Sequence, residues 1–258
     1  MRTLRTIAEV RAALEPARGE SRIGLVPTMG ALHDGHLALL CAARDECDLV
    51  VASLFVNPAQ FGETSDLARY PRDETHDAGV AAEAGVDLLF APPVEEMYPD
   101  GFQTWIEVTE LGTILEGEFR PGHFRAVATV CCKLFNIVRP DVVYFGQKDA
   151  QQVEVVRRMV RDLDLELDLR VVPTVRDEDG LALSSRNAML SREERRLASA
   201  LPRALATRDR AEARRLLNGV DVDYVEIAPF DPPVLAAAIR VGGIRLIDNV
   251  LLTEGASQ

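Results

Sequence analysis

The chain has 258 residues and 47% hydrophobic content, enough to bury the core of one large domain or of a large and a small one. Its 41 acidic residues against 29 basic ones give a formal charge of −12, a surface that repels a polyanionic backbone and argues against nucleic acid as substrate or partner. No apolar run reaches membrane-spanning length, so no membrane partner is expected.

In chain order, Met1–Thr6 leads into a helical pattern over Ile7–Ala17 rather than into a signal segment, which points to a cytoplasmic protein. Ile23–Val26 reads as a strand, Gly35–Glu46 as a helix, and Asp48–Val56 as a β-branched strand buried on both faces. Glu74–Ala84 is helical, Asp87–Phe90 a short strand, and Thr104–Val108 a weakly alternating segment. Pro121-Gly122 opens a long apolar helix to Val138; Asp141–Phe145 is a strand, Asp149–Asp162 a helix and Leu165–Val172 a strand. Alternating β and α units with short turns give an α/β fold around a doubly wound parallel sheet. Ligands in such sheets bind beyond the carboxyl ends of the strands. Thr28–His36, Asn57–Phe61 and Gly146–Gln152 each follow a strand directly, and are expected to converge there.

After Asp177-Glu178-Asp179-Gly180 the character changes. Ser191–Arg215 is an arginine-rich helical stretch, followed by strand candidates Asp223–Ala228 and Ile244–Val250 joined by Pro-rich and Ala-rich sequence. The simplest division is a domain over residues 1–176 and a small second one over 177–258. Cys41, Cys47, Cys131 and Cys132 show no metal-site spacing and are expected as reduced core residues.

The chemistry concentrates at Pro27–Leu37. A strand breaks at Pro27 into Thr28-Met29-Gly30-Ala31-Leu32-His33-Asp34-Gly35-His36, the start of a helix. A helix N-terminus offers unpaired N–H groups and a partial positive charge to an anion. Gly30 and Gly35 are read as clearing the approach of a phosphate to the backbone. His33 and His36, three apart, project to one side. Paired imidazoles beside a polyphosphate can donate to charge growing on the α-phosphorus in nucleotidyl transfer. A surface or capping role is the ordinary alternative for a lone histidine; two with a glycine between them favour catalysis.

Other segments carry competing readings. Asn57 and Gln60 sit on a proline-stiffened loop, where Asn57-Pro58 is also ordinary turn chemistry. Lys148 stands between a strand and a helix, where a flexible point charge reaches phosphates. Asp149 and Gln152 have the spacing of a helix capping box.

Taken together, Pro27–His36, Leu54–Phe61, Leu67–Arg72, Arg120–Arg125, Tyr144–Gln152, Leu183–Asn187 and Leu246–Asn249 resemble, in order, the pantothenate synthetase (pantoate–β-alanine ligase) family of the HIGH-motif nucleotidyltransferase superfamily. The resemblance implies a Rossmann-like domain with a small C-terminal α+β lid, usually as a homodimer. It implies a ligase in which pantoate attacks the α-phosphate of ATP, giving pantoyl adenylate and pyrophosphate. The amine of β-alanine then expels AMP and yields pantothenate. It assigns catalysis to His36, His33 and Lys148. It gives the nucleotide Met29, Gly30, Ala31, Leu32, His33, Asp34, Gly35, His36, Gly146, Gln147, Lys148, Asp149, Val175, Leu183, Ser184, Ser185 and Arg186. Gln60 would hold pantoate and β-alanine, Gln152 pantoate, with Asn57 beside them. Magnesium would ride on the phosphates, with no protein metal ligands. Arg120, His123 and Arg125 are candidates to line the β-alanine site, and the same segment also starts a helix. Arg69, Tyr70 and Arg72 carry less, and His76 only the role of a polar surface residue. Ala126 stands where the family often has glycine, and the stretch from Ser191 to Val222 is shorter than is common. A nucleotidyltransferase that leaves the nucleotide on a phosphorylated product would need cations where Asn57 and Gln60 stand. A nucleotide sensor would lack both histidines, Lys148 or Arg186.

Overall fold

The computed structural model describes residues 1–62, 67, 68 and 70–252, and the chain divides into two compact units. One comprises Met1–Phe145 with Val155–Val172; the other gathers Gly146–Glu154 and the chain from Pro173 onward. Arg69 lies outside the described residues.

The first unit is built on strands β1 (Arg2–Leu4), β2 (Ile23–Thr28), β3 (Leu49–Leu54), β4 (Leu88–Phe90), β5 (Val142–Gly146) and β6 (Asp168–Val172), in the order β1-β4-β3-β2-β5-β6. β2 runs parallel to β3 and β5, and β4 parallel to β1 and β3. The expected parallel sheet is therefore present. Its central strands are buried on both faces, which is why they read as continuous apolar runs. Gly24 admits the close approach of its neighbours: a Cβ there would lie 2.8 Å from Cys47 Sγ and 3.3 Å from the Tyr144 ring.

The helices of this unit are α1 (Ile7–Leu14), α2 (Asp34–Glu46), α3 (Glu74–Glu83), the single turns α4 (Val94–Met97) and α5 (Glu116–Phe119), and α6 (His123–Val138); α7 (Ala150–Asp162) begins in the second unit. Leu39, Leu40 and Ala43 of α2 pack with Val26, Val50, Ala52, Leu89 and Tyr144 in one cluster. The apolar α6 is buried along most of its length.

Three expectations need correction. β1 was not anticipated: three residues give no period, and Arg2–Leu4 is fixed by pairing with Leu88–Phe90. Thr104–Val108 is not a strand; the Ile106 amide donates to Thr129 Oγ1 on α6 at 3.0 Å instead of joining a ladder. Cys41 is exposed and Cys132 half-buried, so only Cys47 and Cys131 are core thiols; burial pushes the Cys131 thiol up to about 12.

The second unit carries an antiparallel sheet of β7 (Asp221–Ala228), β8 (Val234–Val241) and β9 (Ile244–Leu251). Its helices are α8 (Arg192–Ala198), α9 (Ala200–Leu205) and α10 (Arg210–Leu216). The expected single helical stretch is thus broken. Ser191 caps α8 with Glu194, Arg208 adopts a left-handed φ of +54°, and Asp209 caps α10. β8 corrects the reading of an irregular Ala-rich connection: Leu235, Ala237 and Ile239 join Leu201, Leu205 and Leu217 in a core of their own.

Candidate active site

β2 and β3 are in register, Thr28 opposite Leu54, so the turn after β2 and the loop after β3 leave one end of the sheet side by side. Thr28 anchors the turn: its hydroxyl donates to the Ser53 carbonyl at 2.7 Å and accepts from the Gly30 amide at 3.3 Å. Gly30 (φ +87°) and Ala31 (φ +52°) are consecutive left-handed residues. A Cβ on Gly30 would lie 2.8 Å from both Asp77 Oδ2 and Leu54 Cδ1, so this glycine is required by the turn's own packing. The Ala31 and Leu32 amides donate to Asp77 Oδ2 and Oδ1 at 2.9 and 2.8 Å. These two N–H groups are thereby engaged within the protein.

His33 is the N-cap of α2, and the histidines form a reciprocal capping box. The Gly35 amide donates to His33 Nδ1 at 3.1 Å, and the His33 amide to His36 Nδ1 at 3.2 Å. Each Nδ1 is an acceptor, so each neutral ring carries its proton on Nε2. The ring centroids are 4.2 Å apart, tilted by 47°. The cap thus sets both rings at one helix start, with Nδ1 of each accepting from the backbone.

After β3, Asn57 is fully buried and Gln60 nearly so. Asn57 Oδ1 accepts from the Ala59 amide at 3.2 Å, while Nδ2 donates to Gln60 Oε1 at 2.8 Å and to the Ala126 carbonyl at 3.3 Å. The turn reading of Asn57 is realised, and it does more: with Oε1 taken, Gln60 is left presenting its Nε2 donors. His123 Nδ1 and Arg120 hold the Gln60 carbonyl at 3.1 and 3.3 Å. Tyr98, in ring contact with Phe55, has its hydroxyl pushed up to about 12 by burial, so it stays protonated through the physiological range.

In the second unit, Gln147–Asp149 form a short 3-10 turn that runs on into α7, and Lys148 Nζ pairs with Asp149 Oδ1 at 3.3 Å. The buried Asn249 side chain fixes this turn, donating to the Gln147 and Lys148 carbonyls at 2.9 Å each and accepting from Gln147 Nε2 at 2.9 Å. The arm that precedes Arg186 turns at Gly180, with the Leu183 amide bonded to the Val175 carbonyl at 3.0 Å. Arg176 clamps it with two bonds to the buried Asp248, at 2.6 and 3.0 Å. Ser184 caps the 3-10 turn Ser185–Met189 through the Arg186 amide at 3.3 Å. Gln152 lies on α7, half-buried. Among the described residues no group of three or more His, Cys, Asp or Glu is arranged to hold a metal ion.

Sequence reading missed Asp77, Asn249 and the Arg176–Asp248 pair. The available signal for Asp77 was its spacing: a carboxylate four residues before the buried Ala81, on the apolar stripe of α3.

The chain is similar to known proteins over almost its whole length. Pantothenate synthetase 1 of Bradyrhizobium diazoefficiens is 50% identical, with 100% of both sequences covered. Pantothenate synthetase of Acidobacterium capsulatum is 50% identical over 98% of each. The crystal structure of pantothenate synthetase from Thermus thermophilus matches with a TM-score of 0.93 at 47% identity, covering 98% of this chain and 100% of that one. That of pantoate–β-alanine ligase from Francisella tularensis, complexed with β-γ ATP and β-alanine, matches at 0.88 and 35% identity over 100% of both. Residues 2–251 match the family description pantoate–β-alanine ligase, and with the likeness running through both units the chain belongs to that family.

Proposed function

We propose that the chain joins pantoate to β-alanine with the residues singled out above in defined roles. The overall activity is that of its family: an AMP-forming ligase that uses ATP as substrate. The observation that carries the residue assignment is the histidine pair, whose bonds leave Nε2 as the proton-bearing nitrogen of both rings.

In the first step a carboxylate oxygen of pantoate attacks the α-phosphorus of ATP and the bond to pyrophosphate breaks. Negative charge grows on the α-phosphoryl oxygens, and the Nε2–H groups of His33 and His36 stabilise it, with His36 the proton donor. Lys148 and Arg186 supply positive charge to the phosphates; Met29–Gly35, Gly146, Gln147, Asp149, Val175, Leu183, Ser184 and Ser185 complete the nucleotide's contacts. Magnesium would be carried on the phosphates of the substrate, where it would offset their charge.

Gln60 donates from Nε2 to pantoate and then to β-alanine, Gln152 to pantoate, and Asn57 sets the Gln60 rotamer. An amide orients the attacking carboxylate without the electrostatic hold of a guanidinium, which would favour the ground state over the transition state. In the second step the amine attacks the acyl carbon and the C–O bond to AMP breaks.

The same reading makes the protein a cytoplasmic homodimer. The test of the reaction is stepwise. With ATP, magnesium and pantoate alone, pyrophosphate is released in a stoichiometric burst; AMP follows only when β-alanine is added. Pyrophosphate release that needs the amine, or AMP release without it, contradicts the scheme.

A further inference from the structure

We propose that Asp77 is a positioning residue of adenylyl transfer, holding the Met29–Leu32 turn and through it the two imidazoles. The inference rests on the reaction proposed above and adds a residue to it. Asp77 is 2% exposed, and a carboxylate is costly to bury unless its oxygens are bonded. Its bonds go to the Ala31 and Leu32 amides, 46 and 45 residues away in sequence, at 2.9 and 2.8 Å. An apolar side chain would fill the same space without removing a charge from water. What the carboxylate adds is control of the turn.

That turn needs control. Ala31 holds a left-handed φ of +52° directly after Gly30 at +87°. A residue with a Cβ keeps such a conformation only when its surroundings impose it. Asp77 grips Ala31 itself and the next residue, and its Oδ2 closes over the Gly30 Cα. One residue further on, His33 caps α2, and the ring positions of both histidines depend on the amides of His33 and Gly35. If Ala31 relaxes to a negative φ, the entry to α2 rotates and both Nε2 donors move. A misplacement of about 1 Å in a catalytic group costs on the order of 100-fold in rate.

The experiment compares Asp77→Asn, which keeps the volume but turns an N–H donor toward a backbone N–H, with the unsubstituted chain. The assay is pantoate-dependent exchange of pyrophosphate into ATP. The expected result is a fall of about 100-fold in kcat, with KM for pantoate within about 2-fold and Tm within a few degrees. In the Asp77→Asn/His36→Gln double variant the combined loss is smaller than the product of the two single losses, because both changes remove the contribution of His36. Should Asp77→Asn not fold, Asp77→Glu carries the comparison: charge and acceptors remain, while an added methylene displaces the turn. Wild-type exchange in the folded variant, or losses that multiply in the double variant, would overturn the role of Asp77 alone. No exchange by the unsubstituted chain would overturn the reaction itself, and this inference with it.

Discussion

His33 and His36 cap α2 through Nδ1, and the chemical duty proposed for them falls on the other nitrogen of each ring. Each Nδ1 is consumed in capping α2, and each Nε2 bears the proton. At pH 8, long-range 15N–1H spectra of the chain are expected to show both rings as the Nε2–H tautomer; an Nδ1–H signal from either would contradict the capping geometry. Removing one preorganised donor typically costs about two to three orders of magnitude. His36→Ala is accordingly expected to slow single-turnover formation of pantoyl adenylate by about 100- to 1000-fold, and to lower the thermal midpoint by about 2–4 °C because the His33 amide loses its acceptor. The paired histidines were legible in the sequence because spacing alone set them on one side of a helix. Asp77 was not, since nothing local links it to a turn 45 residues away. The need for glycine at position 30 was legible, whereas the Asp77 and Leu54 contacts that exclude a Cβ there are formed only in the fold.

At the scale of elements, α2 is tied at both ends, by the histidine cap at its start and by Glu46 at its end. Glu46 accepts from Arg170 Nη2 at 2.8 Å, from Tyr144 Oη at 2.8 Å and from Arg22 at 2.8 Å, which links α2 to β6, β5 and the start of β2. The Arg170 bond, above all, holds the Glu46 carboxyl below its ordinary value of 4.5. A depressed folded-state value means that the bond contributes fully above the ordinary value and is lost as pH falls through the depressed one. In urea titrations the stability of the chain therefore falls on acidification below about pH 5. Glu46→Gln is expected to lower stability at pH 7 and to flatten that fall; an unchanged slope would contradict the linkage. Elements that misled the sequence reading failed for identifiable reasons. β8 is built from Ala-rich sequence with weak strand preference and exists because β7 and β9 pair on either side of it. The arginine-rich stretch breaks where Ser191 and Asp209 supply caps and Arg208 turns left-handed.

Across the whole molecule, alternating apolar and amphipathic segments sufficed to foresee the parallel sheet, since its strands are buried on both faces and its helices follow them closely. The antiparallel sheet of the second unit was only half visible. Each unit has its own apolar cluster, so core damage is expected to be large in either. Leu40, fully buried against Val26, Ala43 and Tyr144, is a case in point. Leu40→Ala should cost about 2–5 kcal/mol in denaturant unfolding, and a loss below about 1 kcal/mol would show that the cluster is not the core it is taken to be. That pantoate's own oxygen is joined to the α-phosphorus before the amine acts can be read from a single isotope experiment. Pantoate labelled with 18O in both carboxylate oxygens is converted with ATP and β-alanine, and the products are weighed by mass spectrometry. One labelled oxygen is expected in every AMP and the other in the amide of the product. Unlabelled AMP, or label in inorganic phosphate, would contradict adenylate formation.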